Sequence, residues 1–248
     1  MPVSPKMRVD DLLVKAKLAV DKKEALALVM AGKVICNDQR VSSVATMVPT
    51  HSALRLKGMS KYVSRGGDKL EGAVTDLEIS GLFVNKIAID VGASTGGFTD
   101  YCLQNGAQKV ITIDVGTNQL DWRIRNHPNV EVYEKTNIKD FPSGHIKEAD
   151  IILADLSFIK LSGVIGELVR IAPASLKHYL LLIKPQFEVD STEVEDNGII
   201  LSQDLRDKAI MRVHDACDSK NLKIVNTVPS RVKGRQGNQE FFLYCQPK

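Results

Sequence analysis

No apolar run in this chain approaches the roughly 18 residues that a membrane helix needs, so a helical membrane span is excluded. The first residues, Met1-Pro-Val-Ser-Pro-Lys6, lack the apolar core of a signal peptide. Cysteine is sparse. Cys36, Cys102, Cys217 and Cys245 lie far apart and form no metal-type pair. A reduced, cytoplasmic protein without a bound metal is the expectation. Internal repeats are absent. Tryptophan occurs once, and Trp122 is expected in the core or in the wall of a cofactor site.

What is present is ordinary for a globular protein: 44% hydrophobic and 25% charged residues over 248 positions. That length fits one large domain, or a large domain with a small partner. The formal net charge of +3 hides an asymmetry. Residues 1–70 hold 13 Lys/Arg against 6 Asp/Glu, a net +7, and the rest of the chain carries −4. A basic front on an acidic body fits a polyanion partner, or a solvated lysine-rich surface.

The chemistry gathers around Ile87–Asp114. An apolar run, Ile87 to Val91, ends in a turn with Gly92, Gly96 and Gly97. Phe98 to Gln104 then reads as a helix stopped by Asn105-Gly106, and Lys109 to Ile113 as a second strand ending at Asp114. Glycines let a ligand approach the backbone, and the new helix points free N–H groups at it. Asp114 stands 22 residues after Gly92, near the roughly 20-residue offset of an acid that holds ribose hydroxyls. Ser94 occupies the place of the second glycine in Gly-x-Gly-x-x-Gly, the one that lets the backbone touch a pyrophosphate. The open turn therefore suits S-adenosylmethionine, with a dinucleotide site or a plain α/β turn as alternatives.

Ahead of this lies a compact basic module. Arg8 to Ala16 reads as a helix with an apolar face at Leu12, Leu13 and Ala16. Asp21 and Glu24 form a capping-box pair for a second helix that buries Ala25, Leu26, Leu28 and Val29 and stops at Gly32. A hairpin follows, Lys33 to Cys36 and Gln39 to Val41, turning at Asn37-Asp38. This order places Lys17, Lys22, Lys23 and Lys33 near one edge. The pattern Leu-Ala-x-x-Lys-Lys-Glu-Ala…Gly-Lys-Val…Asn resembles the S4-type RNA-binding domain. Arg8 and Arg65 join the four lysines as candidate RNA contacts, and a protein-interaction module is the alternative. The expected organisation is a small α+β RNA-binding domain at 1–63, a linker at 64–69 hinged at Gly66-Gly67, and a second domain at 70–248.

From Lys86 onward strand and helix alternate, the signature of a parallel sheet covered on both faces. Asn118–Asn126 and Leu161–Ile171 read as helices, Val130–Tyr133 as a strand, and Asn137 and Asp140 as loop residues within reach of an adenine. Asp155 ends one buried strand and Lys184 another, with Pro185 stopping the latter. Residues 188–197 are acidic and read as a mobile loop. The helix Gln203–Ser219 and two final strands, Leu222–Val228 and Glu240–Cys245, close the chain. Ligands of open α/β sheets bind outside the carboxyl ends of the strands, where Asp155, Lys184 and Glu240 can meet Lys69. A structural salt-bridge cluster is the alternative for these four, and an exposed first-turn lysine is the alternative for Lys69.

Ser64-Arg-Gly-Gly-Asp-Lys69, Asp90-Val-Gly-Ala-Ser-Thr-Gly-Gly-Phe98, Asp114-Val-Gly116, Gln119-Leu-Asp-Trp122, Asp155-Leu-Ser-Phe158, Ile183-Lys-Pro-Gln-Phe-Glu188 and Gly237-Asn-Gln-Glu-Phe241 together resemble the TlyA (hemolysin A) family of ribosomal-RNA ribose 2′-O-methyltransferases, a branch of the FtsJ-like enzymes. The resemblance implies a Rossmann-like S-adenosylmethionine-dependent methyltransferase domain acting on ribosomal RNA or ribosomal subunits, with cytidine as the nucleotide. It implies a catalytic tetrad at Lys69, Asp155, Lys184 and Glu240. The candidate donor contacts are Asp90, Gly92, Ala93, Ser94, Gly96, Gly97, Phe98, Asp114, Val115 and Asn137. In such a tetrad Lys184 serves as base, Lys69 favours its neutral form or positions the nucleotide, and the carboxylates orient the lysines. Thr117-Asn118 and the acidic 188–197 segment depart from the family pattern. Two other readings are a membrane-active hemolysin, which lacks a spanning or basic amphipathic helix here, and a catalytically silent ribosome-binding module.

Overall fold

A computed structural model describes residues 5–16, 18–37, 39–57, 61–194, 198–234 and 236–248. The chain divides into two compact units, Met1–Ser60 and Lys61–Lys248.

The first unit holds β1 (Lys6–Arg8), α1 (Val9–Lys15), α2 (Lys22–Met30), β2 (Val34–Cys36), β3 (Gln39–Arg40), β4 (Met47–Pro49) and β5 (Leu54–Leu56). β2 is the centre of a three-stranded antiparallel sheet between β3 and β5, while β1 pairs with β4. Val9, Leu12, Leu13, Ala25, Val29, Val34 and Leu56 make its core. Asp21 caps α2 by accepting from the Glu24 N–H at 2.8 Å, but the Glu24 carboxylate reaches past Asp21 to the Val20 N–H at 2.6 Å. Leu26 is 46% exposed and Ala16 is exposed, so the buried stripes are narrower than the periodicity implied. Lys22 and Lys23 open α2 and Lys33 follows its end. All three are exposed. Lys17 lies outside the described residues.

The second unit continues with α3 (Arg65–Asp76), β6 (Ile87–Val91), α4 (Gly97–Gln104), β7 (Lys109–Ile113), α5 (Trp122–Arg125), β8 (Val130–Tyr133), β9 (Ile151–Ala154), α6 (Ile165–Ile171), β10 (His178–Ile183), α7 (Pro185–Glu188), α8 (Gln203–Ser219), β11 (Leu222–Pro229) and β12 (Phe241–Pro247). Seven strands form one sheet in the order β11-β12-β10-β9-β6-β7-β8. β8, β7, β6, β9 and β10 run parallel, and β12 is antiparallel to both β10 and β11. Alternate residues of each strand feed opposite faces. Ile89, Val91, Ile111, Ile152, Leu181 and Leu243 pack with Leu168 and Val213. Ala88, Val110, Leu153, Leu180, Leu182 and Phe242 pack with Leu70 and Phe98. Burial on both faces explains the near-continuous apolar runs of the central strands.

Four expectations are corrected. Residues 64–69 are no hinge: Ser64 is the N-cap of α3, and Arg65 to Lys69 are its first turns. The helix expected over Asn118–Asn126 shrinks to Trp122–Arg125, because Asn118 is left-handed (φ 55°) and Asp121 starts the helix by accepting from the Arg123 N–H at 2.9 Å. Residues 161–164 are turn rather than helix, and the Glu188 carboxylate takes the N–H groups of Leu161 and Ser162. Trp122 is 75% exposed, which removes the core reading and leaves the cofactor-wall one.

Candidate active site

Chain order reverses direction across β6. After β6 the chain fills β7 and β8 on one side, then crosses back to place β9 and β10 on the other. The carboxyl ends of β6 and β9 therefore flank a crevice. Pairing fixes what faces it. Val91 is level with Ala154, so Gly92 neighbours Asp155; Ile183 is level with Phe241, so Lys184 neighbours Glu240. With adjacent strands about 4.8 Å apart, four strand ends set Gly92, Asp155, Lys184 and Glu240 side by side across roughly 15 Å.

Lys69 reaches this edge because of glycine. A Cβ on Gly97 would fall 2.3 Å from the Ser64 hydroxyl and 2.8 Å from the Gly67 nitrogen, and one on Gly67 would enter the Tyr62 ring. The glycines thus let the N-termini of α3 and α4 touch, and the first turns of α3 bring Lys69 in. Lys69 is buried with its Nζ 2.6 Å from a Glu240 carboxylate oxygen, and Glu240 is buried too. Lys184, also buried, places its Nζ 2.7 Å from Asp155 Oδ1 and donates to the Ser157 hydroxyl at 2.7 Å. The four expected residues therefore meet as two ion pairs. Buried pairs add little net stability, because desolvation offsets attraction. Two of them on one edge are a poor solution for a scaffold, and such clusters mark functional sites.

Beside the pairs lies the glycine turn. Gly92 (φ 81°) has no room for a Cβ, which would stand 2.7 Å from the Asp155 carbonyl oxygen. Gly96 (φ 92°) caps α4 in a left-handed conformation. The Asp114 carboxylate accepts from the N–H groups of Ser94 at 2.7 Å and Gly116 at 2.6 Å, so the acid is tied to the turn. Ala93, Ser94, Asp114, Gln119, Leu120 and Tyr133 are among the residues lining a small recess here. Asp90 is fully buried beneath the turn. Thr99 donates to its Oδ2 at 2.6 Å, and its Oδ1 has no hydrogen-bond partner among the described residues. Burial, reinforced by the charges of Asp155 and Asp114, pushes the Asp90 carboxyl up to about 7.

The remaining expected residues fall further out. The Phe98 ring packs in the core, 5.8 Å from Phe242. Val115 is exposed beside the recess. Asn137 is exposed past β8, its side chain accepting from the Lys139 N–H at 3.1 Å. Arg8 forms a two-point bond to Asp10, Lys22 pairs with Asp11 at 2.7 Å, and Lys23, Lys33 and Arg65 are exposed. The 188–194 stretch is less free than its composition implied. Glu188 and Val189 are buried, Asp190 is bridged by Lys160 and Arg212, and Glu193 by Lys208. Residues 195–197 lie outside the described residues.

Two features are not evident from the sequence. Ser157 is a partner of Lys184. Phe158 has a left-handed backbone (φ 66°), is 88% exposed, and lies 5.4 Å from the ring of Phe187. A bulky residue in that conformation costs about 1–3 kcal/mol, a strain found at functional sites. Both residues belong to the Asp155-Leu-Ser-Phe158 stretch, the one signal the sequence offers for them.

Residues 62–246 match the FtsJ-like methyltransferase family. The chain belongs to that family. Residues 7–52 match the S4 domain. The 16S/23S rRNA (cytidine-2′-O)-methyltransferase TlyA of Mycobacterium tuberculosis is 36% identical over 96% of this chain and 89% of its own. Hemolysin A of Brachyspira hyodysenteriae is 35% identical over 96% of this chain and 99% of its own. A solved structure from Streptococcus thermophilus, described as a hemolysin, superposes with a TM-score of 0.71 at 34% identity, covering 99% of this chain and 90% of that one. The switch-point crevice and the paired lysines are the candidate site of this FtsJ-like methyltransferase. No helix among the described residues is long and apolar enough to cross a membrane.

Proposed function

We propose that this FtsJ-like methyltransferase uses S-adenosylmethionine to methylate a ribose 2′-hydroxyl of ribosomal RNA, at cytidine as in the tuberculosis relative, with the S4 unit gripping RNA. The observation that carries the reading is the juxtaposition of the glycine turn with two buried lysine–carboxylate pairs at one sheet edge. The turn fits the donor. Gly92 and Gly96 give the turn its left-handed backbone, Asp114 suits ribose hydroxyls, and the unpartnered Asp90 Oδ1 suits a cationic amino group. When bound, S-adenosylmethionine supplies a methyl group already activated by its sulfonium.

The protein then has two tasks: to align the hydroxyl and to remove its proton. Neutral Lys184 takes that proton. Asp155 and Ser157 hold its nitrogen near the donor turn. Glu240 holds Lys69 at the same edge, where it is placed to position the nucleotide. Exposed Phe158, backed by Phe187, offers a face on which an unstacked base can lie, a contact worth about 1–3 kcal/mol. The intact pairs weigh against a silent module, and no feature of the described residues favours a membrane-lytic chain. The test is transfer of a tritiated methyl group from S-adenosylmethionine to purified ribosomal subunits and to bare rRNA. Label is expected with the wild-type protein and not with Lys184→Ala. Equal labelling by both would remove Lys184 from the mechanism.

A further inference from the structure

Resting on the methyltransferase reading above, we propose that Lys160 and Arg212 form a seat for an RNA phosphate beside the acceptor nucleotide, and that Asp190 fills this seat in the free protein. Asp190 Oδ1 lies 3.2 Å from the Lys160 Nζ, and its Oδ2 lies 3.2 Å from a guanidinium nitrogen of Arg212. One carboxylate oxygen faces each cation. The two non-bridging oxygens of a phosphodiester share one negative charge in a similar fork, so a phosphate can take the place of the carboxylate. The cations come from separate elements, Lys160 from the segment after β9 and Arg212 from α8. Both hold the Asp190 carboxyl below its usual range, Arg212 more than Lys160.

Lys160 stands two residues beyond Phe158, a reach of at most about 7 Å, and Phe158 is the proposed face for the unstacked base. Asp190 stands six residues beyond Lys184. Buried Glu188 binds the two segments together. Its carboxylate accepts from the Leu161 N–H and from the Ser162 hydroxyl at 2.7 Å, and its backbone carbonyl accepts from Arg212. The cations are thus fixed next to the site, whereas the carboxylate between them has a side chain 56% exposed. Exposed ion pairs are worth little in water, so an incoming polyanion displaces Asp190 against little resistance. Asp190 then turns to solvent and leaves both cations to the phosphate.

The test compares the full-length wild-type protein with Asp190→Asn and Lys160→Gln. It measures affinity for ribosomal RNA across salt, and single-turnover methyl transfer at subsaturating and saturating RNA. Asparagine keeps the shape of aspartate and removes the charge. Asp190→Asn is expected to tighten RNA binding about 2- to 5-fold, the scale of exposed ion pairs, a gain that misfolding does not produce. The gain should appear in the transfer rate at subsaturating RNA and vanish at saturation. Lys160→Gln should weaken binding and flatten the slope of log affinity against log salt by about 0.7, one phosphate fewer on a single strand. Asp218→Asn is the control for net charge, because Asp218 pairs with Lys248 at the opposite edge of the sheet, where β12 ends. A gain in Asp190→Asn no larger than that in Asp218→Asn would overturn the proposal, and so would an unchanged salt slope in Lys160→Gln. Either result leaves the methyltransferase reading intact. Absence of transfer by the wild-type protein would overturn that reading instead, with the salt slopes still reporting on the phosphate seat.

Discussion

Lys184 sits between a carboxylate and a hydroxyl at the end of a buried strand, and that placement makes its chemistry testable. Lys184→Ala should lower methyl transfer by about 10²–10⁴-fold, the contribution of a positioned general base. S-adenosylmethionine and RNA binding should persist, since the donor turn and the S4 unit are untouched. Lys184→Arg should rescue little, because arginine keeps the charge but does not give up a proton. Near-normal turnover by the arginine variant would make Lys184 an electrostatic clamp. Asp114→Ala should weaken donor affinity by about 1.5–3 kcal/mol in calorimetry, the worth of hydrogen bonds to a charged acceptor.

Asp90 adds a pH dependence. Its folded carboxyl titrates at about 7, whereas an unfolded aspartate ionises near about 3.9. Between these values the folded, donor-free protein binds one more proton than the unfolded chain, so stability falls as pH rises through that window. A cationic donor favours the ionised acid, so its affinity should rise as pH passes about 7. Asp90→Asn should flatten both trends in melting and calorimetric titrations. If the variant keeps the wild-type slopes, another group is responsible.

At the level of elements, the contact between the first turns of α3 and α4 sets the site. Gly97→Ala puts a methyl 2.3 Å from the Ser64 hydroxyl and 2.8 Å from a backbone nitrogen. Alanine's better helix propensity returns at most about 1 kcal/mol, and overpacking costs about 1–3 kcal/mol. A net loss of stability is therefore expected in denaturant melts, together with weaker donor binding. Gly163→Ala, whose nearest neighbour would be 3.5 Å away, is the control. The strands of the sheet are legible in the sequence because burial on both faces writes continuous apolar runs, and their polar ends announce Asp155 and Lys184. Gly66-Gly67 reads locally as a hinge because nothing nearby in the chain reveals that Gly97, some thirty positions away, packs against it. Ser157 is unreadable for the same reason. A serine acquires a role only when Lys184 arrives beside it from another strand.

For the whole molecule, the proposed function assigns RNA affinity to the basic unit and chemistry to the sheet. Deleting residues 1–60 cuts ahead of Tyr62 and Val63, which belong to the second unit: Tyr62 is buried there, and the Val63 N–H donates to Asp100 at 2.8 Å. Donor binding should survive this truncation. RNA binding should weaken, and the slope of log affinity against log salt should flatten by about 0.7–0.9 for each phosphate that is no longer neutralised. An unchanged slope would assign the RNA anchor to the second unit. The acidic 188–194 stretch needs no RNA partner in this picture, since Asp190 and Glu193 are neutralised by the protein's own Lys160, Arg212 and Lys208.

The central claim is the acceptor atom, a ribose 2′-oxygen of rRNA, and its most direct test is the alkali stability of the labelled product. Ribosomal RNA methylated by the wild-type protein with a tritiated donor is hydrolysed in base. A free 2′-hydroxyl is required for that cleavage, so a 2′-O-methylated position survives as a dinucleotide. The expected result is label in alkali-stable dinucleotides containing cytidine at the modified ribose. Label recovered in mononucleotides, which would place the methyl group on a base, would contradict it.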